Sequence, residues 1–235
     1  MIKLTPLLLA LLYGLAYYRF SVWRTARMLD QRSTELSDPI LNVLTSQMAR
    51  ALEIDQIRVH IFEEDVVNGL AVEDGRIFIT RGFMNKYRAG QVTADELASV
   101  IAHELGHVAM GHTRRRMIDF SGQNALRVLL AGLLGRFLPG IGVWIANGLM
   151  SLLAARISRK DEYEADAYAA ALLVKSGIGT GPQKSLFAKL AGITGRRGAA
   201  TPPAWLMSHP KTEDRIAAIE VLEDRWNIPR MPITP

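Results

Sequence analysis

Thr93-Ala94-Asp95-Glu96-Leu97-Ala98-Ser99-Val100-Ile101-Ala102-His103-Glu104-Leu105-Gly106-His107 reads as a helix that carries its own start signal. Thr93 and Glu96 have the spacing of a capping box, in which each side chain closes on the other residue's backbone N–H. Leu97, Val100 and Ile101 then follow at helical intervals. On such a helix His103 and His107 project about 40° apart, so both imidazoles reach one metal ion. Glu104, next to the first histidine, is placed to take a proton from an attacking water rather than to complete the ligand set. A chance HExxH would fall as readily in a loop or strand, and its position in a capped helix argues against coincidence.

A catalytic zinc takes three protein ligands and keeps one position open. The longer HExxHxxGxxH pattern fails, because its glycine position is Met110 and its third-histidine position is Thr113. His112 is no substitute: five residues along a helix turns it about 140° from His107, which leaves it as a group behind the ligands or on the surface. The third ligand is expected from Asp161-Glu162-Tyr163-Glu164-Ala165-Asp166. These acids would also suit a helix start through the dipole alone. Glu162 and Asp166 are four residues apart, so the first can bind zinc while the second accepts the free N–H of a zinc-bound histidine. Glu164 is the alternative, but four residues beyond it stands Tyr168 rather than an acid.

Upstream of the metal helix, Asp38-Pro39 looks like a helix start, with Ile40, Val43, Leu44, Met48 and Ala51 as the apolar stripe. Ile57, Val59 and Ile61 alternate as in a strand, and the Glu73-Asp74-Gly75 turn leads into a second strand over 76–80. Downstream, residues 125–155 are rich in Leu, Ala and Gly, and 137–155 carry no charge. Pro139, Gly140, Gly142, Asn147 and Gly148 favour a membrane-apposed helical hairpin over a true span. A helix is expected from Ser158 to about Lys175, ending at Gly177. The Gly-, Arg- and Pro-rich stretch 194–203 is a loop, and a last helix follows His209-Pro210 with Ile216, Ile219 and Leu222 inward.

At the N-terminus, Thr5 to Tyr18 is uncharged, and with Arg19 snorkelling the apolar run reaches Trp23, close to the ~20 residues that cross a bilayer. No small-x-small cleavage site follows, and Tyr17, Tyr18, Phe20 and Trp23 suit a membrane interface, so an anchor is favoured over a cleaved signal peptide. Only Lys3 precedes the run, while Arg19, Arg24, Arg27 and Arg32 follow it. That asymmetry predicts a single-pass protein of a bacterial-type inner membrane with a cytoplasmic catalytic domain, the periplasmic side being the alternative.

The chain of 235 residues, 49% of them hydrophobic, can bury one sizeable core but is short for two. Two units are therefore expected: an anchor over 1–24 and a catalytic domain over 25–235. The absence of cysteine excludes a disulfide scaffold, a zinc ribbon and a thiol nucleophile. The net charge of +5 resides partly in short clusters, Arg114-Arg115-Arg116, Arg159-Lys160 and Arg196-Arg197. None is interleaved with aromatics that could stack on bases, so no nucleic-acid partner is expected.

HELGH, a later EYEAD and a final SHPKTEDRI, in that order, resemble the family of the heat-shock protease HtpX and the CAAX prenyl endopeptidases. The likeness covers about residues 38–225. It extends to Asn68-Gly69-Leu70-Ala71 leading to 75–80, which in that family forms the hairpin before the metal helix. The resemblance implies a mostly helical α+β fold of gluzincin type with a small sheet, one zinc ion per chain, and Glu162 as third ligand. It also implies that the strand bearing Asn68, Gly69 and Leu70 is an edge to which a polypeptide substrate adds as a further strand. Unlike HtpX and the prenyl endopeptidases, this chain lacks several clear membrane spans.

His209 is a further catalytic candidate. Among five histidines, two are metal ligands, His60 sits in a strand and His112 lies beyond reach. His209 precedes a proline at a helix start, where a donor for the developing oxyanion could be aimed. SHPKTEDRI also resembles the family's late His-Pro motif with a following arginine, here Arg215, which could pair with a nearby carboxylate. Together these observations predict a membrane-anchored zinc endopeptidase acting on unfolded or membrane-associated proteins. The bilayer is contacted through the N-terminal helix and through 125–155. The alternative is a zinc-stabilised, chaperone-like polypeptide-binding module that rarely cuts.

Overall fold

A computed structural model describes residues 16, 19, 20, 23–112, 141–194 and 212–233. Almost all of the expected anchor over 1–24, the part of the expected hairpin at 125–140, and His209 lie outside the described residues. Among the described residues no helix is long and apolar enough to cross a membrane.

The fold is mostly helical with one small mixed sheet. After a helical stretch over 23–31, strand β1 (Ser33–Glu35) leads to helix α1 (Pro39–Ala51). Strands β2 (Val59–Phe62), β3 (Gly69–Ala71) and β4 (Ile77–Thr80) follow, then helix α2 (Arg81–Arg88). Helices α3 (Ala94–Ala109), α4 (Gly142–Lys175), α5 (Gly181–Thr194) and α6 (Thr212–Arg225) complete it. The sheet order is β1-β2-β4-β3, with β2 and β4 parallel and the other two pairs antiparallel. Among the described residues β3 is therefore an edge, paired to β4 in the register Gly69 to Ile79 and Ala71 to Ile77.

Each early helix begins where a side chain can take up orphan N–H groups. Asp38 accepts from Ile40 N at 3.1 Å and Leu41 N at 3.0 Å, with Pro39 opening α1. The stripe read from sequence is partly turned: Leu44 and Met48 face the core as expected, Ile40 and Val43 do not. Leu41, Leu44, Thr45, Met48 and Ala49 are buried, while Ile40 and Val43 are exposed at 59% and 57%. Both sets repeat at helical spacing, so periodicity alone could not choose between them.

The capping box of α3 is closed in both directions, Thr93 N to Glu96 Oε2 at 2.8 Å and Glu96 N to Thr93 Oγ1 at 3.2 Å. Glu96 also receives Ser185 and Lys189 from α5, so one carboxylate both starts α3 and ties a neighbour to it. From Glu96 to His107 every residue of α3 is buried. A helix buried on all sides is the centre of its fold, and α3 packs against α1, α4, α5, β3 and β4.

The main correction concerns α4. The sequence suggested a hairpin arm up to 155 and a separate helix from Ser158, whereas Gly142–Lys175 is one helix of 34 residues. Gly142, Asn147 and Gly148 are poor helix formers, at up to ~1 kcal/mol each. The run of good helix formers that follows, Leu149, Met150, Leu152, Leu153, Ala154 and Ala155, carries the helix on. Helices α2 and α5 and strand β1 are additions that the sequence reading did not anticipate. Thr80 does signal α2, its hydroxyl lying 3.4 Å from Phe83 N as an N-cap.

Candidate metal centre

The site forms where α3 crosses α4. A Cβ built on Gly106 would lie 2.9 Å from the Ala165 carbonyl oxygen and 3.0 Å from Ala165 Cα. Only a residue without a side chain allows that approach, so the glycine inside HELGH is what brings the α4 acids against the α3 histidines. His103, His107 and Glu162 all become buried, with ligand atoms of the three lying within 4.8 Å of one another.

The separations fit a single zinc ion. Ligand atoms ~2.0–2.1 Å from a tetrahedral zinc lie roughly 3.3–3.4 Å apart. Here His103 Nε2 and His107 Nε2 are 3.1 Å apart, and Glu162 lies 3.4 Å from the first and 3.5 Å from the second. Two imidazoles and a carboxylate are also the donor chemistry of a catalytic zinc site. Glu164, the alternative third ligand, lies elsewhere: its Oε2 is 2.9 Å from His112 Nε2.

Asp166 lies one helical turn beyond Glu162 and stands 2.9 Å from His103 Nδ1. A carboxylate only accepts, so His103 carries a proton on Nδ1, and in the neutral form of the ring, the form that binds a metal, the Nε2 lone pair is left toward Glu162 and His107. Arg215, reaching in from α6, donates Nε and Nη2 to the two oxygens of Asp166 at 2.6 and 2.7 Å. Its guanidinium lies over the Phe187 ring at 4.2 Å and 3.9 Å from Glu162. Both partners are almost fully buried. Burial by itself would raise the Asp166 pKa, but Arg215 and His103 hold it below the usual carboxylate range. Burial likewise opposes charge on His103, yet Asp166 and Glu162 overcome it and lift its pKa to about 9. Without a metal, the pocket is an anionic cage that draws a proton to the place where a cation fits.

Glu104 is buried in the same helix face region. A Cβ on Gly69 would meet Val100 Cγ1 at 3.0 Å and Glu104 Cγ and Oε1 at 3.4 Å, so edge strand β3 runs directly past this carboxylate. Asn68 ahead of it is pinned by Thr80, whose Oγ1 accepts from Asn68 N at 3.0 Å. Leu70 pairs with Phe78.

The structure thus brings together His103, Glu104, His107, Glu162, Asp166, Arg215 and the edge strand, while His209 lies outside the described residues. Of the two places that the sequence leaves for His112, behind the ligands or on the surface, the structure gives the first: it is buried against His107. The signal available for it was Gly111, which marks the end of α3.

Comparison with known proteins gives the family. The family model for peptidase family M48 matches residues 35–223. The chain is 29% identical over 218 residues to a putative beta-barrel assembly-enhancing protease of Vibrio cholerae, covering 88% of this chain and 42% of that protein. It is 28% identical over 178 residues to metalloprotease LoiP of Escherichia coli, covering 74% and 66%. To protease HtpX of Pseudomonas aeruginosa it is 27% identical over 208 residues, covering 74% and 69%. The chain therefore spans less than half of the first relative and about two thirds of the other two. With the family model covering most of its length and its residues meeting in one buried pocket, the chain belongs to peptidase family M48.

Proposed function

We propose that this chain is a zinc-dependent endopeptidase in which His103, His107 and Glu162 hold the metal. The observation that carries the reading is the convergence of these three donors beside Glu104 and the edge of β3. Zinc held there would act as a Lewis acid toward the scissile carbonyl and make the attacking water more acidic. Glu104 takes the proton of that water and delivers it to the leaving amine. Asp166 orients His103, and Arg215 keeps Asp166 ionised and fixed. The polypeptide substrate is read as an added strand along β3, with Asn68, Gly69 and Leu70 beside the scissile bond. His209 is proposed as the donor to the developing oxyanion.

The substrates proposed are unfolded or membrane-associated proteins. Exposed Phe20, Trp23, Ile141 and Trp144, the last at 78%, support contact with a lipid surface. Arg27 over the Trp23 ring adds a cation beside that aromatic pair. The charge asymmetry about the N-terminal apolar run favours the cytoplasmic side for the catalytic domain, taken as residues 25–235.

Glu104→Gln separates cutting from binding. The variant is expected to keep its zinc and its affinity for an unfolded polypeptide while turnover falls by about 10²–10⁴. Turnover equal to wild type in a zinc-loaded variant would remove Glu104 from the chemistry. Zinc-loaded wild type that binds polypeptide but never cuts it would favour the chaperone-like reading.

A further inference from the structure

His112 lies five residues beyond His107, where a continuing helix would turn it away. The helix does not continue. α3 ends at Ala109, Met110 caps it, and Gly111 takes a left-handed conformation with φ of 67°. Its N–H returns to the Val108 carbonyl at 2.9 Å. That turn suits glycine, and it folds His112 back under the end of the helix. There it is fully buried, its Nδ1 3.0 Å from His107 Nδ1. On its other side Nε2 is 2.9 Å from Glu164 Oε2 and 3.7 Å from Asp161 Oδ1.

With zinc on the His107 Nε2 lone pair, as proposed above, His107 holds its proton on Nδ1 and these contacts assign the other proton positions. Glu164 is an acceptor, so His112 carries its proton on Nε2 and, as a neutral ring, offers the Nδ1 lone pair. His107 Nδ1 is then the donor in the 3.0 Å contact. A neutral His107 protonated on Nδ1 presents the Nε2 lone pair toward His103 and Glu162, the arrangement a metal ligand requires. We propose that His112 is a positioning residue for the metal ligand His107, the inner link of a relay that runs from Glu164 and Asp161 through His112 to the zinc site. The proposal rests on the zinc reading above and extends it to the second histidine.

His112, Asp161 and Glu164 also lie close enough to be considered as a second cation site. The same geometry opposes this. A cation on His112 Nε2 would move that ring's proton to Nδ1, make His107 Nδ1 the acceptor, and place a proton on His107 Nε2. Filling the second site would therefore deprive the first of a ligand. The 2.9 Å separation is moreover that of a hydrogen bond.

Zinc affinity of the full chain, titrated from the metal-free state against a chromophoric chelator, tests the relay, with zinc itself as the probe. His112→Ala and His112→Phe are expected to weaken binding by about 10–100-fold. His112→Asn, whose Oδ1 can still accept from His107, is expected to restore most of the affinity. The melting temperature of each metal-free variant supplies the control for packing. Unchanged affinity in all variants would overturn the proposal. So would losses that simply follow the metal-free melting temperature with no rescue by asparagine, or two zinc ions per wild-type chain falling to one in His112→Ala. The zinc reading itself is checked separately: wild type that binds no zinc, or Glu162→Ala that binds as wild type does, would remove both.

Discussion

The two histidines of the motif sit 3.1 Å apart at Nε2, yet the protein supports them in different ways. Behind His103 stands a charged chain, Asp166 clamped by two bonds from Arg215, sealed from water and capped by Phe187. Behind His107 stands a second imidazole, His112, and then Glu164, whose side chain remains about one third exposed and also pairs with exposed Lys160. A buried charge pair is expensive to break because the survivor has no water to turn to. A relay that ends near solvent can exchange its last partner cheaply. The His103 side is therefore expected to govern folding, and the His107 side to govern mainly metal affinity.

The sharpest way to break that comparison is Arg215→Leu, which leaves Asp166 ionised and buried. A loss of about 3–5 kcal/mol in stability is expected, measured by urea denaturation of the metal-free protein. A loss below about 1 kcal/mol would show that the sealed side is no stiffer than the open one.

A smaller effect should appear on raising the pH of the metal-free protein. His103 has a pKa near 6.5 when unfolded and about 9 when folded. A raised folded value means that protonated His103 stabilises the fold fully below about 6.5, and that this contribution is lost as pH rises through about 9. Thermal melting of the metal-free chain should therefore fall between those pH values, and the fall should be absent in His103→Gln. A flat profile in wild type would mean that Asp166 and Glu162 do not hold a proton there.

The smallest effect is expected for Lys160→Ala. Its ion pair with Glu164 spans 3.4 Å with the lysine side chain 71% exposed. Removing it should change stability by no more than about 0.5 kcal/mol, with zinc affinity kept. A larger loss of zinc affinity would make the outer end of the relay as consequential as the inner one.

Legibility in the sequence followed range. The metal helix could be read because its capping box, its apolar spacing and the offset of its histidines are properties of one helix, set by 3.6 residues per turn. Glu162 and Asp166 could be paired for the same reason, lying one turn apart on α4. Where the helical repeat was assumed to go on or to stop, the reading fell short. α4 was given a late start at Ser158 because weak helix formers precede it. His112 stays undecided between a place behind the ligands and the surface when the helix is continued past Gly111. The inward face of α1 is legible only in part, Leu44 and Met48 facing the core as expected and Ile40 and Val43 facing out, because two apolar stripes share one helix.

What the sequence by itself determined, then, is a family resemblance and a set of local pieces: a capped helix bearing HELGH, a helix bearing Glu162 and Asp166, and strands ahead of the metal helix. Only the tertiary structure decided how they meet. Backbone contact at Gly106 and Ala165 puts the acids on the histidines, Gly69 lets the edge strand pass Glu104, and α6 carries Arg215 to a partner 49 positions away. Spacing along one helix is a local geometric property that residue identity reveals. The approach of distant elements depends on how every buried surface packs at once, and no stretch of sequence contains that information alone.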